Sequence, residues 1–180
     1  MGSRALETVF ARCFSERENT SLVGGFDEPL YEPASGEGQM HCLRYREDFF
    51  ASALHEVAHW CIAGPERRLL TDFGYWYAPD GRSESQQRAF ENVEYKPQAL
   101  EWYFSKACQC RFRLSSDNLD GAGGAIPAND SFKQRVVDQA VQWRREGLPA
   151  RGELFFLALC EEYGTITDFN TLEFSVSELE

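Results

Sequence analysis

The sequence predicts an α+β fold, mainly helical with a few short strands, and three observations carry that reading. Apolar residues recur at helical spacing along most of the chain, strand-like patterning is confined to a short run near residue 41, and Gly/Pro signals divide the helical stretches. A chain of 180 residues is expected to form a single catalytic domain spanning 1–180, with flexible ends over residues 1–5 and roughly 170–180. Its 43% hydrophobic and 14% aromatic content excludes a disordered polymer.

Taken in order, Leu6 to Cys13 repeats apolar residues with a helical period. Asn19 to Gly38 is rich in Gly, Pro, Glu and Asp and reads as an extended loop. His41 to Tyr45 has strand character. Phe49 to Ala63 reads as a helix whose Phe50, Ala53, Leu54, Val57, Ala58 and Cys61 make a wide apolar face, and Gly64-Pro65 stops it. Asp72 to Arg82 is an aromatic loop with a turn signal at Pro79-Asp80-Gly81. Ser83 N-caps a helix reaching Tyr95, and Pro97 suits the first turn of another running to about Cys108. Asp120 to Ala125 is a Gly-rich loop. Phe132 to Arg145 and Arg151 to Tyr163 are the last helices, and the acidic tail from Gly164 is expected to be partly disordered.

Charge narrows the function classes. The formal net charge is −11, from 29 acidic against 18 basic residues. Such a field repels phosphate backbones, so no direct nucleic-acid partner is expected; it suits a cationic substrate group, and equally a merely soluble protein. No apolar run approaches the roughly 18 residues of a membrane span, so no membrane partner is expected. The start, Met1-Gly2-Ser3-Arg4, lacks a signal peptide's apolar stretch, and a cytoplasmic location is expected. The six cysteines are irregularly spaced and read as reduced, mostly buried thiols.

The chemistry concentrates in His55-Glu56-Val57-Ala58-His59. Residues four apart on a helix stack on one face, so two imidazoles so placed can share a cation. Only three histidines occur in the chain, and two of them form this pair. A third ligand is required, and the candidates are Asp72, Glu91, Glu94 and Glu101. Glu94, Gln98 and Glu101 share a face if Pro97 merely kinks one continuous helix. Glu101 is the first choice because a carboxylate among Ala99, Leu100, Trp102 and Phe104 is costly unless paired or metal-bound, with Glu94 next. Two chemistries fit this set. In a zincin-like peptidase or amidase, Glu56 would be the general base acting on a zinc-bound water. In a non-haem oxygenase, two histidines and a carboxylate hold Fe(II) on one face and leave positions open to O2 and substrate.

Around this pair the chain resembles the bacterial elongation factor P hydroxylases. The likeness rests on the run Ala53 to Gly64, Arg67-Arg68, the loop Asp72 to Arg82, Glu94 to Trp102, and Ser116 to Leu119, and it spans essentially the whole chain. It implies hydroxylation of the β-lysylated lysine of elongation factor P, with a two-histidine, one-carboxylate Fe(II) site and O2 as co-substrate; zinc is a possible occupant of purified protein. It also implies a fold other than the double-stranded β-helix. Under that reading His55, His59 and Glu101 (or Glu94) hold the metal, and Glu56 orients a ligand. Tyr75, Trp76 and Tyr77 wall the pocket, while Asp72, Asp80, Glu94 and Gln98 face the substrate.

Overall fold

The fold was obtained as a computed structural model that describes residues 2–72, 82–116, 128–165 and 168–179. Helix α1 (Ser3–Phe14) leads into a three-stranded sheet built from β1 (Thr20–Phe26), β2 (Leu30–Glu32) and β3 (His41–Arg46). Four helices follow: α2 (Phe50–Ile62), α3 (Glu84–Ala107), α4 (Asp130–Glu146) and α5 (Ala150–Tyr163). Short 3-10 turns occur at Arg67–Leu69, Phe169–Thr171 and Val176–Leu179. Among the described residues the fold is therefore mainly helical with one small sheet, as the periodicity predicts.

Strand β3 is central, parallel to β1 and antiparallel to β2. Leu43 sits between Leu22 and Tyr31 in that register, and all three are buried. The expected loop over 19–38 is thus corrected: it contains two strands. Its glycines misled because a strand glycine also marks close approach of another group. A Cβ at Gly24 would collide with the Tyr45 ring and come within 2.7 Å of the Glu47 carbonyl oxygen. The Gly24 N–H also donates to Glu7 Oε1 at 3.1 Å, the same oxygen that accepts from the Tyr45 hydroxyl at 2.9 Å. Gly24→Ala should therefore cost about 1–3 kcal/mol through overpacking, seen as a lower urea midpoint with an unchanged m-value.

A second correction concerns Pro97. Rather than opening a new helix, it lies inside α3, which runs unbroken from Glu84 to Ala107. An interior proline costs about 3 kcal/mol in an isolated helix. Here Pro97 is buried, and α3 packs along its length on α2, α4 and α5, so tertiary burial outweighs the local loss. Ser83 caps α3 as expected, in a capping box with Gln86. The caps of α4 and α5 match too, with Gly147 at φ 91° and Gly164 at φ 64°.

The core gathers buried side chains from every helix and strand. Phe10 and Phe14 of α1 meet Trp60 of α2 with ring centroids at 5.2 and 4.8 Å, and Phe155 of α5 lies 6.1 Å from each of the two. That cluster anchors the end of α2 that carries His59. The tail also joins the body: Phe174 is buried against Trp102 and Tyr103, and Lys106 Nζ lies 2.6 Å from Glu178 Oε2. No helix among the described residues is long and apolar enough to cross a membrane.

Candidate metal centre

Two helices build the site. Helix α2 turns its apolar face, Ala53, Leu54, Val57 and Ala58, into the core, which leaves His55 and His59 a turn apart on its flank. Helix α3 runs alongside and presents Glu94, Gln98 and Glu101 from one face, all buried. Pro97 thus permits the alignment that the seven-residue spacing required.

The Nε2 atoms of His55 and His59 are 2.9 Å apart. Glu94 closes the group: its Oε1 is 3.3 Å from His59 Nε2 and its Oε2 is 3.6 Å from His55 Nε2. One donor atom from each of the three lies within 4.8 Å of the others. Two nitrogens each about 2.1 Å from a common ion lie roughly 3.0–3.4 Å apart across the usual coordination angles. The donors therefore converge closely enough to share one cation, and two imidazoles with a carboxylate suit a divalent transition metal.

Glu101 is placed differently. Its Oε2 accepts from His55 Nδ1 at 2.8 Å, on the side of the ring away from His59 and Glu94. A ligating imidazole commonly gives its other N–H to a carboxylate in this way, fixing tautomer and ring orientation. Glu94 thus sits with the two Nε2 nitrogens, and Glu101 meets His55 at Nδ1. The cost of a buried charge flagged both residues, but only the helix–helix packing distinguishes their positions.

Gln98 links the two helices to the segment after α3. Its Nε2 donates to Glu94 Oε2 at 3.3 Å and to the Ser115 carbonyl at 2.9 Å, and its Oε1 accepts from the Ser115 N–H at 3.0 Å. These bonds hold Glu94 toward the histidines. Asp72 lies elsewhere. It accepts from Arg67 Nε at 2.5 Å, its backbone pairs with Tyr31, and it lines a small cavity of about 30 Å³ that Glu56 and His59 also line. Tyr75, Trp76, Tyr77 and Asp80 lie outside the described residues.

The centre opens into a cleft of about 520 Å³ whose floor is His55, Glu56, Glu94, Gln98 and Glu101. Pro29, Phe49, Phe90, Arg46, Arg113 and Ser115 also line it. None of these six was legible as a site residue in sequence, because they come from loops, from the end of β3, from a helix N-cap, and from an α3 position without a motif. Arg151 was missed likewise. Its Nη2 donates to the carbonyls of Trp60 and Cys61, each at 3.1 Å, and of Ala63, and its guanidinium lies 4.9 Å from the Trp60 ring centroid. It thus caps the C-terminal end of the histidine-bearing helix from α5.

Burial opposes charge on His55, yet the hydrogen bond and charge of Glu101, with Glu94 and Glu56 nearby, outweigh it and raise its pKa to about 10. Burial likewise works against an ionised Glu94, but the charge and hydrogen bond of His59, aided by His55 and Gln98, hold it at about 2. The signs fix two linked windows. The His55 contribution to stability is present below its unfolded value near 6.5 and is lost as pH rises through about 10. The Glu94 contribution is present above about 4.5 and is lost as pH falls toward about 2. A cation and the Nε2 proton of His55 compete for one lone pair. Metal affinity should therefore fall about tenfold per unit as pH drops from 8 to 6, which chelator competition at several pH values would check.

Comparison with known proteins places the chain. A family model described as elongation factor P hydroxylase matches residues 9–174. A protein of Haemophilus influenzae, named elongation factor P lysine hydroxylase, is 48% identical over 169 residues, which cover 94% of this chain and 93% of that protein. This chain belongs to the elongation factor P hydroxylase family.

Proposed function

We propose that the protein is an iron-dependent hydroxylase that acts in the cytoplasm on a lysine of elongation factor P, after a β-lysyl group has been attached to it. The observation that carries this reading is the near full-length identity to a relative named as an elongation factor P lysine hydroxylase. The converging His55, His59 and Glu94 supply the donor set such chemistry needs.

In this reading Nε2 of His55, Nε2 of His59 and a Glu94 oxygen hold Fe(II). Iron bound there supplies the means to activate O2 for insertion of one oxygen atom into a substrate C–H bond. The second oxygen atom leaves as water, with two electrons and two protons supplied by an external reductant. Glu101 keeps His55 Nδ1 protonated and the ring in register, and Gln98 orients Glu94. Phe49, Phe90 and Pro29 give the cleft apolar walls that exclude water and pack against methylene groups.

The test is the intact mass of β-lysylated elongation factor P after incubation with the protein, Fe(II), reductant and air. A gain of one oxygen atom, absent with His55→Ala and with the unmodified factor, is expected. An unchanged mass with iron bound would overturn the reading. Cleavage independent of O2 and lost in Glu56→Gln would favour the zincin-like alternative, with Glu56 as general base.

A further inference from the structure

Glu56 is the one cleft-floor carboxylate that the metal centre leaves unemployed. Glu94 stands with the two histidines, and Glu101 accepts from His55. Glu56 is 8% exposed, and among the described residues it has no hydrogen bond or ion pair. A carboxylate largely withdrawn from water is costly unless it is paired, and Glu56 lies on the floor of the cleft. A fold keeps such a group when something absent from the chain completes it.

The surroundings say what that is. With a divalent cation bound and both imidazoles neutral, Glu94 and Glu101 balance the metal's charge, and Glu56 leaves the floor with one excess negative charge. Above it, Pro29, Phe49 and Phe90 line the cleft with apolar surface, and Phe49 is 52% exposed. Arg46 and Arg113 also line the cleft, but both are exposed and neither pairs with Glu56. An apolar wall over a buried carboxylate that has no partner among the described residues matches a ligand with a methylene stem and a positive tip.

We propose that Glu56 is the specificity residue that receives an alkylammonium group of the substrate, with the methylene stem lying against Phe49 and Phe90. This rests on the lysine-directed function proposed above and adds which residue reads the charge. Asp72, one of the residues expected to face the substrate, is already paired with Arg67 away from the cleft.

The experiment measures binding under anaerobic conditions, so that no turnover occurs, using Fe(II)-loaded wild type, Glu56→Gln and Glu56→Asp. The probes are β-lysylated elongation factor P and the same protein with its β-lysyl amino groups acetylated. Wild type should prefer the charged form by roughly 30-fold or more, the scale of a buried charge pair that loses one partner. Glu56→Gln should bind both forms alike, and Glu56→Asp should restore part of the preference. Bound iron and Tm serve as controls, and neither should fall in Glu56→Gln, because the substitution removes an unpaired buried charge. If Glu56→Gln keeps the full preference while kcat collapses, Glu56 handles a proton and the proposal is overturned, with the lysine hydroxylase function intact. If Glu56→Gln does not fold, a full preference in Glu56→Ala overturns the proposal equally. Failure of wild type to bind or oxidise the factor overturns both readings together.

Discussion

Glu94→Ala is expected to strip the protein of iron, whereas Glu101→Ala should weaken binding and leave a competent donor set. Glu94 is the carboxylate whose oxygens lie 3.3 and 3.6 Å from the two Nε2 atoms, and its removal leaves two imidazoles that cannot retain a divalent ion by themselves. Glu101 touches only His55 Nδ1. Its loss frees the ring to change tautomer and to rotate, and supporting carboxylates of this kind contribute about 10–100-fold in metal affinity. Iron content after dialysis against a mild chelator, followed by titration of Fe(II) back into each variant, separates the two. The Glu94→Ala loss should exceed roughly 100-fold, and excess Fe(II) should rescue oxygen insertion only in Glu101→Ala. The opposite order would return Glu101 to the metal and make Glu94 its support.

Arg151→Ala should be the most damaging change outside the centre. Helix α2 ends at Ile62 with carbonyls that have no helical partner, and Arg151 takes three of them. Its charge also complements the negative end of the helix dipole, and its flat guanidinium covers the Trp60 ring at 4.9 Å. These bonds are not additive, and about 2–4 kcal/mol is expected for the whole contact. For a chain of this size that lowers Tm by roughly 4–16 °C. Arg151→Lys should recover only part of the loss, because one ammonium can replace the bonds that Nη2 donates but not the flat guanidinium over the Trp60 ring. The histidines ride on α2, so iron affinity should fall with stability although Arg151 never approaches the cleft. An unaltered Tm in Arg151→Ala would show that water caps the helix equally well.

These predictions draw on different levels of the chain's organisation. Histidine spacing is local, and the pair at 55 and 59 could be read from five residues because helix geometry is the same everywhere. The start of α3 was legible for the same reason, through Ser83. Strands β1 and β2 were not, because pairing with β3 is non-local and a glycine beside Tyr45 carries the same letter as a glycine in a turn.

The sequence by itself determined the chemistry available to this protein: two imidazoles on one helical face, acidic side chains within reach, and the motifs that mark its family. Only the tertiary structure decided which acid lies where. Glu94 and Glu101 are equivalent by composition, burial and helical phase. They differ because the packing of α3 on α2 puts one beside Nε2 of both rings and the other behind Nδ1 of a single ring. It likewise left Glu56 in the cleft without a partner among the described residues and paired Asp72 with Arg67 outside it. The physical reason is that helical phase sets the direction in which a side chain points, whereas its partner is set by the neighbouring helix's position, which depends on burial summed over the whole core.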